Sequence, residues 1–335
     1  MDLKAAAKVD LHRHLEGSAR LQTMIDLYRA AGDPLPESTP GELARRAQVL
    51  APMAGLEDVL AVFEIAQGAF RDPDAAERIA YEAIEDLALD RVRLAELRFS
   101  PDFLCRPHAL DWDEAFAGIV RGVTRAAREH DVAVGLIAIA SRNYGMESAE
   151  RTVEFALKHR EELVAFDLAG DERAYPPSMY VDALAPLAGS GLGLTVHYGE
   201  SGGPQFPREA IEALGPSRLG HGVSVAHDPE VTALARERGV TLEMCPTSNH
   251  RTHAVPRLAD HPARRLLDEG VRVTINTDNP GLFAIDLTNE LEVCRRELSF
   301  SDDELRRVTD HAIEASFLDP AAKADVRRRH FAWLG

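Results

Sequence analysis

Five polar side chains of this 335-residue chain fall where they could do chemistry together. They are His12 and His14 in the run HRHLEG, His197 in TVHYGES, His221 in GHGV and Asp278 in NTDNP. Each sits at the end of a short apolar run or just after one. Side chains two apart on a strand share a face, so His12 and His14 can point into one cavity. Two histidines from one strand, a third from a later strand and an aspartate make an N/O ligand set with room for a water. That set suits a catalytic Zn²⁺ or a similar divalent ion. An HxH pair alone is weak, and single histidines such as His130, His159 and His261 read as hydrogen-bonded or exposed side chains. Packing asks for apolar residues at strand ends, so polar groups at four of them call for a functional explanation.

Two more residues, Glu200 and Asn279, lie close to these in sequence, and His221 has a second possible role beside them. Glu200 follows His197 by three positions and could face the same cavity; a carboxyl whose pKa is raised by desolvation can act as a general acid, whereas the bland alternative is a solvent-facing loop glutamate. His221 lies between two glycines that permit close backbone approach, and it is a natural partner for an activated water, with a core hydrogen bond as the alternative. Asn279 offers an amide that both donates and accepts, or else serves as a turn residue before Pro280.

The elements that must position these groups are legible as apolar runs bounded by loop signals. The runs are Lys8–His12, Val92–Phe99, Val132–Ala140, Leu163–Ala169, Leu192–His197, Arg218–His221, Val240–Cys245 and Val271–Thr277. Between them lie amphipathic patterns at Asp74–Leu89, Trp112–His130, Ser148–His159, Pro207–Leu214, Pro229–Arg238 and His261–Glu269, with apolar residues at three- and four-residue intervals. Near-continuous apolar strands alternating with such helices indicate a parallel sheet covered on both faces. Eight of them suggest a closed (β/α)₈ TIM barrel, with a doubly wound sheet as competitor. In a barrel all strand C-termini open on one side, which would bring the five polar groups together. The first interval is too long for one βα unit, so a helical insertion over about 18–90 is expected, either a lid or extra helices packed on the barrel. No linker is evident, and a single domain over 1–335 is expected.

Composition bounds the function. Apolar residues at 45% allow a large core, and a net charge of −17, spread along the chain, disfavours nucleic acid and anionic membranes as partners. The longest apolar run, about nine residues, is too short to span a bilayer. Three scattered cysteines, Cys105, Cys245 and Cys294, form no CxxC pair, and the N-terminal MDLKAAAKVD lacks the apolar stretch of a signal peptide. A cytoplasmic location is expected.

Seven segments in order, KVDLHRHLEGS, ELRFSP, DLAGDE, TVHYGES, GHGVSV, CPTSN and NTDNP, together resemble the adenosine deaminase family of metal-dependent amidohydrolases. The resemblance covers nearly the whole chain. It implies a (β/α)₈ barrel holding one zinc through His12, His14, His197 and Asp278, and hydrolytic deamination of a 6-aminopurine nucleoside by a zinc-activated water. It implies that Glu200 protonates the adjacent ring nitrogen and that His221 orients the water and helps deprotonate it. It also implies that His14 and Asn279 contact substrate, that the Gly170 N–H meets a purine nitrogen, and that Glu16 reaches a sugar hydroxyl. The PCxxC element of the cytidine-type zinc deaminases is absent.

Three departures stand out. Glu16 replaces the family's common aspartate and is frequent in relatives acting on adenine or on aminodeoxyfutalosine, which are the alternative substrates. Asn279 replaces the second of two adjacent aspartates; an amide still donates to a purine nitrogen without needing to be protonated. Tyr198 stands where alanine is common and could narrow the pocket wall or donate a hydrogen bond. A nucleoside-binding protein without catalysis and a two-metal barrel hydrolase are the readings from other classes. Retention of Glu200, His221 and the four ligands opposes the first, and the lack of a bridging lysine or extra ligand opposes the second.

Overall fold

In the computed structural model, which describes residues 1–54, 59 and 62–334, eight strands follow one another around a barrel. They are β1 (Lys8–His14), β2 (Val92–Phe99), β3 (Ala133–Ser141), β4 (Ala165–Ala169), β5 (Gly193–Tyr198), β6 (Arg218–His221), β7 (Thr241–Met244) and β8 (Arg272–Ile275). Each pairs in parallel with the next in sequence order. The ring closes through Asp278, whose N–H donates to the His12 carbonyl at 2.7 Å and whose carbonyl accepts from the His14 N–H at 2.8 Å. This is a (β/α)₈ barrel, and the doubly wound alternative is excluded. The first strand runs two residues further than its apolar pattern, through His14, because Arg13 and His14 still pair with β2.

Alternate strand residues face the barrel interior and the helix layer, and both environments are buried, which is why the strands read as near-continuous apolar runs. The helices are set by local signals. Pro73–Leu89 starts on the Asp72 carboxylate, which accepts from the Ala75 N–H, with proline at its first position. It buries Ala76, Ile79, Ala80, Ala83 and Leu87. Its neighbour Trp112–His130 carries Gly118 and Gly122, where a Cβ would lie 2.1 Å from the Pro73 carbonyl and 2.3 Å from that of Glu77. No larger residue allows these two backbones to approach so closely. The expected helix at Pro207–Leu214 is instead Gln205–Glu209 followed by a wider π turn over Ala210–Leu214.

The long first interval contains the helices Leu21–Ala30, Pro40–Ala47 and Glu64–Gly68 before Pro73–Leu89. Part of the expected insertion, residues 55–58, 60 and 61, lies outside the described residues. Val59 and Phe63 from this interval line the main cavity, and Phe63 meets Phe103 edge-on at 6.1 Å. Pro73–Leu89 packs as an ordinary barrel helix. The interval thus supplies both a cavity wall and part of the outer layer.

Candidate active site

A cavity of about 350 Å³ opens at the C-terminal ends of the strands. His14, Glu16, Gly170, His197, Glu200, His221, Asp278 and Asn279 all line it. His12 lies beneath them, fully buried, with its ring 4.6 Å from that of His197 and 4.7 Å from that of His221. Every candidate site residue therefore meets in one place.

The backbone there is held in a sparsely populated conformation. His221 and Asp278 both have φ of +63°, a left-handed geometry uncommon for residues with a Cβ. Each ends or follows a strand and turns its side chain back toward the cavity. Backbone strain of this kind persists only where the surrounding structure fixes it, and it concentrates at functional sites.

Donor atoms converge. His14 Nε2 lies 3.3 Å from His197 Nε2 and 3.3 Å from Asp278 Oδ1, and His12 Nε2 lies 3.5 Å from the same oxygen. Two overlapping groups could hold a metal, His12 with His14 and Asp278, and His12 with His197 and His221. His12 Nε2 is buried with no hydrogen-bond partner, a costly arrangement unless a ligand fills it. Burial and the nearby Arg98 charge push the His12 pKa down to about 4, and burial sets that of His14 well below its ordinary value. Both shifts favour the neutral ring that metal ligation requires. Burial would raise the Asp278 carboxyl, but the adjacent His12, His14 and His221 rings hold it well below the usual range. The donor set fits a divalent ion.

A family model for adenosine deaminases matches residues 7–331. The chain belongs to the adenosine deaminase family. An adenosine deaminase of Shewanella denitrificans is 37% identical over 315 residues, covering 94% of this chain and 95% of the relative. Among solved structures, an adenine deaminase from Arthrobacter aurescens superposes with a TM-score of 0.90 at 25% identity, covering 98% of this chain and 99% of that one. An amidohydrolase from Burkholderia ambifaria, with bound zinc, gives 0.88 at 26% identity, covering 99% and 91%.

In this family member the ligand-type side chains rest on a layer of buried charge that the sequence reading did not assign. His12 Nδ1 faces Glu243 at 2.7 Å, and His197 Nδ1 faces Asp167 at 3.0 Å. Arg98 joins the two carboxylates, donating to Asp167 at 2.7 Å and to Glu243 at 2.8 Å. Ser248 Oγ donates to Asp278 Oδ2 at 2.6 Å. The readable signal was charge inside a buried strand: Arg98 beside Arg93 and Glu96 in VRLAELRF, and the single acids Asp167 in AFDLA and Glu243 in TLEM.

The cavity walls refine other expectations. Glu200 is buried, which raises its carboxyl pKa, and it lies 3.6 Å from His221 Nε2. Glu16 accepts from the Ser100 N–H at 2.7 Å through one oxygen, while the other is buried without a partner. Asn279 donates to Asp278 Oδ1 at 2.6 Å, so one of its two N–H bonds is already committed, and its own Oδ1 is unpartnered. Tyr198 is not a pocket wall. It is wholly buried, donating to the Tyr175 carbonyl at 3.0 Å and stacking under Arg142, whose guanidinium holds the carbonyls of Gly170, Leu168 and His197. His130 and His159 are ordinary hydrogen-bonded side chains, on Tyr81 and Asp113. Among the described residues no helix is long and apolar enough to cross a membrane.

Proposed function

We propose that the chain removes the 6-amino group of adenosine or 2′-deoxyadenosine by hydrolysis, giving the 6-oxopurine nucleoside and ammonia, with a zinc ion held by His12, His14, His197 and Asp278. The observation that carries this reading is the unpartnered His12 Nε2 in a cluster of converging donors, beside a buried Glu200, in a family of deaminases. The carboxylates on His12 Nδ1 and His197 Nδ1 leave the lone pairs of both Nε2 atoms directed at the ion, an arrangement typical of metal-binding histidines. A bound divalent ion supplies Lewis acidity and a water activated near neutral pH.

The chain's own residues do the rest. Glu200, kept protonated to higher pH by burial, donates to the ring nitrogen beside the carbon that carries the amino group. His221 orients the attacking water. The Gly170 main chain, held through its carbonyl by Arg142, and the free N–H of Asn279 meet the purine nitrogens. Glu16 accepts from a sugar hydroxyl through its unpartnered oxygen.

The charge of the lining supports a substrate without a phosphate. The described cavity lining contains Glu16, Glu200 and Asp278 but no lysine or arginine, and residues 55–61 contain none in sequence. A nucleoside monophosphate would bring a dianion into a lining whose described residues offer it no lysine or arginine. The second reading is adenine, motivated by the name of the Arthrobacter neighbour and by Glu16. The three cysteines are buried and unpaired, which supports the cytoplasm as the site of action.

The test is to incubate zinc-loaded protein with adenosine, 2′-deoxyadenosine, adenine, aminodeoxyfutalosine and AMP, following the 6-aminopurine absorbance and ammonia release. Turnover of the two nucleosides and not of AMP is expected. Turnover of adenine alone would replace the nucleoside reading. Glu200→Gln should abolish turnover with zinc still bound; loss of the metal instead would show that Glu200 is a ligand.

A further inference from the structure

His221 has its Nε2 toward Glu200 and its Nδ1 toward Asn249, whose amide nitrogen lies 3.0 Å away. Asn249 is fully buried, and its Oδ1 lies 3.0 Å from Nε2 of His261, which is itself buried. The other nitrogen of His261, Nδ1, lies 3.3 Å from the Ala263 N–H. His221 ends β6, whereas Asn249, in the short helix Pro246–Arg251, and His261, just before the helix Ala263–Asp268, both follow β7.

The chain has one direction, because one end is unambiguous. A backbone N–H can only donate, so the Ala263 N–H requires a lone pair on His261 Nδ1. The His261 proton therefore sits on Nε2 and is donated to Asn249. The acceptor there must be Oδ1, which leaves the Asn249 NH₂ to donate to His221. His221 Nδ1 is then an acceptor, and the imidazole proton lies on Nε2, facing the cavity. Burial lowers the His261 pKa to about 3, in keeping with a neutral ring.

We infer that Asn249 and His261 are positioning residues that lock His221 in its Nε2–H tautomer. The inference rests on the deaminase reading for its functional consequence but not for its structural content. A ring with its proton on Nε2 has no lone pair to offer a metal, so His221 is separated from His12 and His197, which the carboxylates on Nδ1 hold in the opposite tautomer. It also meets the attacking water as a hydrogen-bond donor, and so acts by orienting the water and stabilising negative charge, not by accepting its proton.

The experiment uses full-length, metal-loaded protein labelled with ¹⁵N-histidine, with the His221 signals assigned by comparison with His221→Gln. In the native chain the expected signature is a pyridine-type Nδ1 and a protonated Nε2 on His221. A protonated Nδ1 would overturn the inference whether or not the protein is active. Two variants follow. Asn249→Asp puts an acceptor where Nδ1 needs a donor; it should move the His221 proton to Nδ1 and lower kcat by about 100-fold, within the range for a misdirected acid–base group, with KM changed less than about threefold. His261→Gln, which can present an N–H near the Nε2 position, should keep the native signature and most of kcat. Native spectra and kcat in Asn249→Asp would show that the chain does not set the tautomer. Inactivity of the native protein on every aminopurine, with the Nε2–H signature present, would sink the deaminase reading and leave the lock standing.

Discussion

His12 Nδ1 lies 2.7 Å from a carboxylate oxygen of Glu243, and neither side chain has any exposure to solvent. The same carboxylate receives Arg98 at 2.8 Å and Arg218 at 2.6 Å. Burial would raise the Glu243 pKa, but the two guanidinium groups and His12 hold it well below the ordinary carboxylate range. Glu243 therefore has two roles: it fixes the tautomer of a proposed ligand, and it neutralises cations inside the barrel. Glu243→Gln keeps an acceptor for His12 and leaves Arg98 and Arg218 short of a counter-charge. Removing one partner of a buried ion pair costs about 3–5 kcal/mol, and loss of an outer carboxylate costs about 10–100-fold in metal affinity. Urea unfolding and competitive chelator titration of the variant should show both losses. Native values in both would mean that the buried charges are balanced elsewhere.

Arg98 should couple the proposed ligands His12 and His197 through their carboxylates, because one planar guanidinium reaches Asp167 and Glu243 at once. A lysine ammonium is a point charge and cannot reproduce that fork. Arg98→Lys is expected to weaken metal binding about tenfold or more, comparable to loss of an outer carboxylate. In a double-mutant cycle with Asp167→Asn, the combined loss should be smaller than the sum of the single losses. Strict additivity would show that Arg98 acts independently of Asp167.

The legible part of this architecture was what repeats or what breaks a pattern. Apolar runs marked the strands because both faces of a barrel strand are buried, and the histidines marked their ends. The end of β1 was less visible, since Arg13 and His14 interrupt the apolar pattern while their backbones still pair. Arg98, Asp167 and Glu243 stood in plain view as charges within strands, but their meaning depends on partners 30 to 231 positions away. His261 illustrates the same limit. As a lone histidine before Pro262 it reads as unremarkable, and only the fold brings it behind Asn249. Tyr198 follows His197 on β5, where alternation turns it away from the cavity, so a pocket-wall role conflicted with the strand's own period.

Glu290 offers a test of buried charge away from the cavity. Its carboxylate accepts from the Thr247 N–H at 2.9 Å and from the Thr247 hydroxyl, and burial, only partly opposed by those bonds, raises its pKa to about 7. The unfolded chain ionises this group near 4.5. Between these two values the folded state binds more protons than the unfolded state, so stability falls as pH rises through the window. A separation of this size corresponds to at most about 3 kcal/mol. Glu290→Gln removes that contribution, so urea unfolding at pH 5 and pH 8 should show a smaller loss on going to pH 8 in the variant than in the parent. An identical loss in both would show that Glu290 ionises in the folded chain as easily as in the unfolded one.

Glu16 is where the nucleoside and adenine readings can be told apart. One oxygen is committed to the Ser100 N–H, and the other is buried at the cavity wall without a partner. A ligand hydroxyl that donates to it relieves an unsatisfied buried acceptor, and a hydrogen bond to such a group is worth about 1.5–3 kcal/mol. Glu16→Ala should therefore raise KM for adenosine by about 10- to 100-fold with kcat little changed, the pattern for an interaction present in both ground and transition states. Adenine has no sugar and should be indifferent to the same change. Steady-state kinetics on both substrates separates the cases: an equal loss on adenine and adenosine would mean that Glu16 shapes the base pocket or the metal cluster, because a sugar contact cannot affect a substrate without a sugar.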